Sequence, residues 1–138
     1  MELLDNMLSV IFGVACGGAL GAVARFATVT LTQTLCGPRF PYGTLFVNCL
    51  GSFLIGLIMN FLMERYAGSA EPWRLFLVVG FLGAYTTFSS FAWETWMLYL
   101  NGQWLAAAGN ILLNNIGTLF LVFVGIQTGR LIGAAYAG

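Results

Sequence analysis

The sequence predicts an all-α integral membrane protein with four transmembrane helices, and three observations support this. Of the 138 residues, 59% are hydrophobic and only 7% are charged, whereas a soluble domain carries about 25% charged residues. The mean hydropathy is +0.89. The apolar residues also form four long stretches, each with the roughly 20 residues that a helix needs to cross a bilayer. A soluble enzyme does not fit this composition, and a disordered chain is excluded.

The four predicted spans form one transmembrane domain over residues 1–138. Short segments connect them, and Asn101-Gly102 is a typical two-residue turn signal. No connection is long enough to form a domain outside the membrane, so we expect the function to lie within the bilayer. The predicted helices cover residues 7–34, 43–62, 72–100 and 104–131.

Several kinds of chemistry are excluded by residues that the chain lacks. There is no histidine, which removes imidazole catalysis and histidine-ligated metal sites. The three cysteines, Cys16, Cys36 and Cys49, are far apart, and we interpret them as small apolar side chains of a membrane core. The net charge is zero, which gives no basic surface for nucleic acid. We therefore expect neither an enzyme nor a nucleic-acid-binding protein.

The distribution of arginines hardly favours either membrane orientation. Arg65, Arg74 and Arg130 lie on the side of the two termini, and Arg39, with Arg25 if it lies toward that end, lies on the other. Positive residues near membrane edges normally set orientation. Two alternatives stay open: one weakly preferred orientation, or insertion in both orientations followed by pairing as an antiparallel homodimer.

The first span carries a stripe of small residues and one charge. Gly13, Gly17 and Gly21 recur at every fourth position, a spacing that allows close helix packing in membranes. Arg25 continues the same face, and a charge inside a membrane usually has a partner or contacts water. Arg25 is therefore a candidate for the lipid–water boundary, a pore entrance or a subunit interface.

Polar stripes also run along the second and fourth spans. Asparagine side chains are costly in hydrocarbon unless they are hydrogen-bonded. Two interpretations stay open for both stripes: hydrogen bonds between helices, or the walls of a polar pathway. The stripe of the second span consists of Thr44, Asn48, Gly51 and Ser52. That of the fourth consists of Asn110, Asn114, Gly117 and Thr118.

The third span contains an unusual run at residues 80–94, in which glycines precede a series of hydroxyls. Consecutive residues of low helix propensity, including Thr86 and Thr87, predict a helix break near mid-membrane. Irregular backbone at this depth is tolerated only inside protein or beside a cavity. Carbonyls freed by such a break can hold a cation.

Two side-chain faces follow the predicted break. Phe88 and Phe91 share one face, and the partly positive edges of their rings can contact an anion. The other face carries Thr87, Ser90 and Glu94. A polar pathway with so few ionisable groups suits the passage of a small solute better than a proton-coupled pump.

Three segments, at residues 21–26, 41–51 and 80–91, resemble the Fluc (CrcB) fluoride channels of bacteria. The resemblance extends over nearly the whole chain in the number, order and spacing of the spans. It implies passive export of fluoride across the bacterial inner (cytoplasmic) membrane, which relieves fluoride toxicity. It also implies an antiparallel, dual-topology homodimer with two pores and a sodium ion at its centre.

The resemblance assigns roles to individual residues. The backbone carbonyls of Gly83 and Thr86 correspond to the sodium ligands, and Arg25 corresponds to the family's first-helix arginine. In the fourth span Asn110 and Asn114 stand where many relatives have tyrosine and serine, so this helix departs from the family pattern. The implied fluoride-pore residues are Asn48, Phe88, Phe91, Thr87, Ser90, Glu94, Asn110, Asn114, Thr118 and Thr44.

Two other functions compete with a channel. A small four-span drug/proton antiporter can also insert in both orientations, but that family uses a carboxylate in its first helix, and residues 7–34 contain none. The second alternative is a membrane assembly protein that transports nothing. Substitutions of Asn48 or Phe88 would then leave no anion phenotype.

Overall fold

The computed structural model describes residues 2–65 and 71–137, which are almost entirely helical and contain no strand. The third span is divided among several of the helical elements. In chain order these are α1 (Glu2–Cys36), α2 (Tyr42–Arg65), α3 (Glu71–Trp73), a π-helical segment (Arg74–Leu82), α4 (Gly83–Tyr85), α5 (Phe88–Leu100) and α6 (Trp104–Ala137).

Four of the described stretches are long and apolar enough to cross a membrane, which confirms the predicted fold class. They run over Asn6–Cys36, Tyr42–Phe61, Glu71–Leu100 and Trp104–Ala135. At about 1.5 Å per residue, the 34-residue helix α6 exceeds the roughly 30 Å hydrocarbon core. It must therefore tilt or project beyond that core. Most of the loop predicted between the second and third spans lies outside the described residues.

The predicted break is present at Thr86 and Thr87, which separate α4 from α5. Thr86 has φ −88° and ψ 159°, and Thr87 has φ −153° and ψ 119°. Both conformations are extended. The π-helical segment that precedes α4 was not predicted, because nothing in its apolar sequence distinguishes π- from α-helical hydrogen bonding.

Glycines allow α1 to pack closely on the π segment. A Cβ atom on Gly17 would collide with the carbonyl oxygen of Phe76, and one on Gly21 with that of Phe81. Gly80 is equally constrained from the opposite side, since its Cβ would lie 2.7 Å from the Val14 oxygen. Gly13 has nothing within 4 Å. The predicted glycine stripe is therefore a packing surface at its second and third positions but not at its first.

Helices α2 and α6 form the other closely packed pair. A Cβ on Gly56 would meet the Val122 carbonyl, and a Cβ on Gly125 would meet the Phe53 carbonyl. The most buried large side chains of the bundle are Val47, Asn110 and Thr44. The interior is therefore partly polar, and many large apolar side chains of α1 and α6 face outward, as expected for helices surrounded by lipid.

Candidate functional site

The helix break borders a cavity of about 320 Å³ between α2, the two halves of the third span and α6. Its lining contains no charged side chain and brings together most of the predicted site residues. These are Asn48, Gly83, Thr86, Thr87, Phe88, Phe91, Asn114 and Thr118.

A reciprocal pair of hydrogen bonds joins Asn48 on α2 to the backbone of Thr87 at the break. The Thr87 N–H donates to Asn48 Oδ1 at 2.8 Å, and Asn48 Nδ2 donates to the Thr87 carbonyl at 3.0 Å. The asparagine side chain thus pairs with extended backbone much as a neighbouring β-strand would. Such pairing satisfies the Thr87 N–H, which the break removes from helical bonding.

The amide of Asn48 continues into a directional series of hydrogen bonds, here called the amide chain (Asn48, Asn114, Asn110 and Thr95). Asn48 Nδ2 also donates to Asn114 Oδ1 at 3.0 Å. Asn114 Nδ2 donates to Asn110 Oδ1 at 2.9 Å, and Asn110 Nδ2 donates to Thr95 Oγ1 at 2.8 Å. The chain ends where Thr95 donates to the Phe91 carbonyl at 2.7 Å. It ties α2, α6 and α5 together inside the bundle.

The first turn of α5 presents hydroxyls beside a helix N-terminus. The Thr87 side chain caps the helix by accepting the Ser90 N–H at 3.2 Å, and the Thr87 and Ser90 hydroxyls lie 3.2 Å apart. The N-terminal end of a helix carries partial positive charge. Together with the hydroxyl donors, it makes this turn suitable for a small anion.

The two phenylalanines of this turn pack edge to face beside the same cavity. Their ring centroids are 5.3 Å apart with an interplanar angle of 62°. Phe91 is buried, whereas Phe88 is 75% exposed on the surface of the single chain. Positive ring edges therefore lie close to the hydroxyls of the α5 N-terminus.

The opposite side of the break ends in backbone oxygens. The Thr86 N–H still makes a helical bond to the Leu82 carbonyl at 3.1 Å, but the Thr87 N–H is taken by Asn48. Gly51 permits the close approach of Thr86, since a Cβ at Gly51 would collide with Thr86 Cγ2. Carbonyl oxygens at a helix C-terminus are suitable ligands for a hard cation. The break thus places oxygen atoms that could bind a cation next to donors that could bind an anion.

No group of three or more His, Cys, Asp or Glu side chains within 2–65 and 71–137 could hold a metal ion. A cation at the break would therefore be held by backbone oxygens. Gly83 and Thr86, the two residues expected to supply them, both line the cavity. This donor set fits sodium, a hard cation that binds oxygen.

Thr44 and Glu94 lie away from the break and are joined to each other. The Thr44 hydroxyl donates to Glu94 Oε1 at 2.7 Å, while Glu94 Oε2 is buried with no hydrogen-bond partner among the described residues. Glu94 also lines a second cavity of about 240 Å³ near the short loops, together with Arg39, Gln33, Asn101 and Gln103.

Four predicted residues line neither of these cavities, namely Thr44, Ser90, Asn110 and Arg25. Asn110 is completely buried and contacts the first cavity only through its bonds to Asn114. Arg25 is half-buried and forms no ion pair within the described part of the chain, in which Arg74 pairs with Glu71.

Sequence reasoning missed Thr95 and the cavity around Arg39. Thr95 lies six residues before the turn at Asn101-Gly102 and Asn110 lies eight residues after it, so an antiparallel helical hairpin brings them to similar heights. That spacing was a usable signal. Arg39 offered no signal, because an arginine in a loop next to a membrane has no distinguishing pattern.

Comparison with known proteins gives consistent results. Residues 12–126 match the model of the family described as "CrcB-like protein, Camphor Resistance (CrcB)". A protein of Legionella pneumophila (strain Lens) is 46% identical over 125 residues, covering 91% of this chain and 92% of its own length. A protein of Dehalococcoides mccartyi is 45% identical over 118 residues, covering 86% of this chain and 90% of its own. A third, from Hahella chejuensis, is 47% identical over 119 residues, covering 86% and 93%. All three relatives are named "Fluoride-specific ion channel FluC".

Proposed function

Since the chain belongs to the CrcB-like protein family, we propose that it is a fluoride channel that exports F⁻ passively across the bacterial inner membrane, where it is a multi-pass protein and not an enzyme. The observation that carries the proposal is the first turn of α5. There Thr87 and the edge-to-face Phe88–Phe91 pair border one uncharged cavity, and the Ser90 hydroxyl lies 3.2 Å from that of Thr87.

Uncharged donors suit fluoride conduction for a physical reason. Fluoride is small and strongly hydrated, so entry into the membrane requires groups that replace its water. Hydroxyls, ring edges and a helix N-terminus can do so without a fixed positive charge. A lysine or arginine in the constriction would hold the ion too strongly, whereas conduction needs binding from which the ion can escape. The lining of the first cavity includes neither residue type.

The proposed path continues from this cavity along α5 to the second cavity. Ser90 and Glu94 lie on successive turns of α5, and Thr44 supports Glu94 from α2. Asn114 and Thr118 form the wall contributed by α6. Although α6 departs from the family pattern, its wall of the path therefore remains polar and is built from amide side chains. Asn110 supports this wall from inside the bundle by accepting a hydrogen bond from Asn114.

A second copy of the chain, in the antiparallel orientation, is proposed to complete the site. Phe88 is 75% exposed and Gly83 is exposed, so the polar cavity would otherwise border lipid. Irregular backbone is not stable against lipid. A partner would also supply an environment for Arg25, which lacks an ion pair within the described chain.

The same dimer would hold a central sodium ion between the carbonyls of Gly83 and Thr86 of both copies. These oxygens fit a hard cation, and the ion would offset the negative ends of two half-helices. Each copy would contribute one pore.

An antiporter is not favoured by these findings. The three relatives named above are channels by name, and the first described span, Asn6–Cys36, contains no acidic residue.

Fluoride efflux from liposomes, followed with a fluoride electrode in sodium buffers without a pH gradient, tests the proposal. The wild-type protein should release fluoride rapidly, and Phe88→Ile should abolish the release by removing one aromatic edge. Equal release by both proteins would contradict an aromatic-lined path.

A further inference from the structure

The Thr87 N–H has two possible partners, and which one it uses decides whether the third span is broken. In a continuous α-helix the N–H of residue i donates to the carbonyl of residue i−4, so Thr87 would donate to Gly83. The preceding N–H, that of Thr86, still follows this rule with Leu82 at 3.1 Å. The Thr87 N–H instead donates to Asn48 Oδ1 at 2.8 Å. The departure from helical bonding therefore begins where Asn48 binds.

The Asn48 amide has no unused N–H. A side-chain amide carries two N–H donors; one is directed to the Thr87 carbonyl at 3.0 Å and the other to Asn114 Oδ1 at 3.0 Å. Its oxygen accepts the Thr87 N–H. An anion in the neighbouring cavity would have to break one of these bonds to be bound by Asn48.

The amide chain also fixes the orientation of Asn48. Asn114 uses its own Nδ2 to bond Asn110, so its Oδ1 is left to accept from Asn48. A flipped Asn48 would place its Oδ1 against Asn114 Oδ1 and its NH₂ against the Thr87 N–H, which are unfavourable contacts. The buried position of Asn110, with 0% exposure, keeps water from replacing these partners.

We propose that Asn48 is a positioning residue that holds the helix break open. By pairing with both backbone groups of Thr87, it prevents the Thr87 N–H from closing onto Gly83 and keeps the α5 N-terminus separate from the end of α4. The amide chain from Asn114 to Thr95 holds Asn48 in the required orientation. Asn48 thus acts on the conducted ion through Thr87 and the break, not as its donor.

One consequence rests on the sodium site of the proposed function. If Asn48 keeps the Gly83 carbonyl free of the Thr87 N–H, removal of Asn48 should weaken cation binding as well as anion flux. A residue that only lined the anion path would alter flux and leave the cation requirement unchanged.

Hydrogen–deuterium exchange of the full-length protein in lipid nanodiscs, resolved at the Thr87 amide by mass spectrometry, tests the proposal directly. Asn48→Ala should speed exchange of this amide at least tenfold, because the Thr87 N–H would then alternate between the Gly83 carbonyl and an open state in which it has no acceptor. Asn48→Ser has a side chain too short to bridge the two backbone groups and should behave in the same way, which provides a second variant if Asn48→Ala does not fold. Asn48→Asp keeps the acceptor for the Thr87 N–H but loses both donated bonds, so its exchange rate should lie between those of the wild type and Asn48→Ala.

The matched control is Thr34→Ala, which removes an exposed side-chain bond within α1 to the Thr30 carbonyl. It should leave Thr87 exchange unchanged. Unchanged exchange in Asn48→Ala or Asn48→Ser would overturn the proposal, as would exchange in Asn48→Asp as fast as in Asn48→Ala. Equal acceleration by Thr34→Ala would also overturn it, because the effect would then be a general loosening.

Thermal unfolding in increasing NaCl, at constant ionic strength with N-methyl-D-glucamine chloride, tests the consequence for the cation. The sodium concentration for half-maximal protection should rise at least tenfold in Asn48→Ala. An unchanged midpoint would show that Asn48 does not position the carbonyls. Absence of sodium protection in the wild type would refute the sodium site of the proposed function, while the Thr87 exchange would still decide the role of Asn48.

Discussion

Asn110 and Thr95 face each other across the hairpin formed by α5 and α6, with Asn110 Nδ2 donating to Thr95 Oγ1 at 2.8 Å. Asn110 is completely buried and also accepts from Asn114. One side chain therefore joins two helices and supports the residue that orients Asn48. Its role in this geometry is to support the cavity wall from within the bundle.

Replacing Asn110 by alanine should destabilise the protein by about 1 to 2 kcal/mol, because Asn114 loses its side-chain acceptor inside the bundle. The measurement is reversible unfolding in detergent with increasing denaturant. The control is Asn115→Ala, since Asn115 is exposed and bonds only to its own helix, at the Ile111 carbonyl. A loss of stability as large in the control would remove the basis for assigning a supporting role to Asn110.

The two ends of the glycine stripe provide a matched pair for helix packing. Gly21→Ala should destabilise the bundle by about 1 to 3 kcal/mol, because the new methyl group collides with the Phe81 carbonyl. Gly13→Ala meets nothing within 4 Å and should be neutral or slightly stabilising, since alanine favours the helix. Thermal unfolding of both variants distinguishes them, and equal stability would contradict the packing of α1 on the π segment.

Arg39 should increase the local concentration of fluoride at the second cavity. It lines that cavity and has no ion pair in the described chain. Arg39→Gln should therefore slow fluoride efflux from liposomes severalfold at low ionic strength, and the difference should shrink above about 0.5 M salt, where charges are screened.

The control for Arg39 is Arg74→Gln, because the Arg74 charge is already compensated by Glu71 at 2.6 Å. It should leave the efflux rate close to that of the wild type at both salt concentrations. A slowing by Arg39→Gln that does not depend on salt would contradict electrostatic attraction at this cavity.

The parts of the site that sequence could predict are those determined by local chemistry. Hydroxyls and glycines in succession located the break at Thr86 and Thr87, and the i, i+3 spacing of Phe88 and Phe91 predicted their shared face. The parts it could not predict depend on contacts between distant elements. The pairing of Asn48 with the Thr87 backbone joins residues 39 positions apart, and either role left open for Asn48 was compatible with its spacing.

The glycine stripe shows the same limit. Periodicity placed Gly13, Gly17 and Gly21 on one face, but which of them contacts another helix depends on where the π segment crosses α1. Crossing positions follow from side chains of both helices, and the π-helical geometry of one of them changes its register. Only the structure therefore separates Gly13 from the other two.

The most direct test of the central claim is fluoride release by the purified wild-type protein in liposomes, with chloride release measured in parallel and no pH gradient imposed. A passive channel built from uncharged donors predicts rapid fluoride loss with chloride retained. Liposomes that keep their fluoride as well as protein-free ones would contradict the claim.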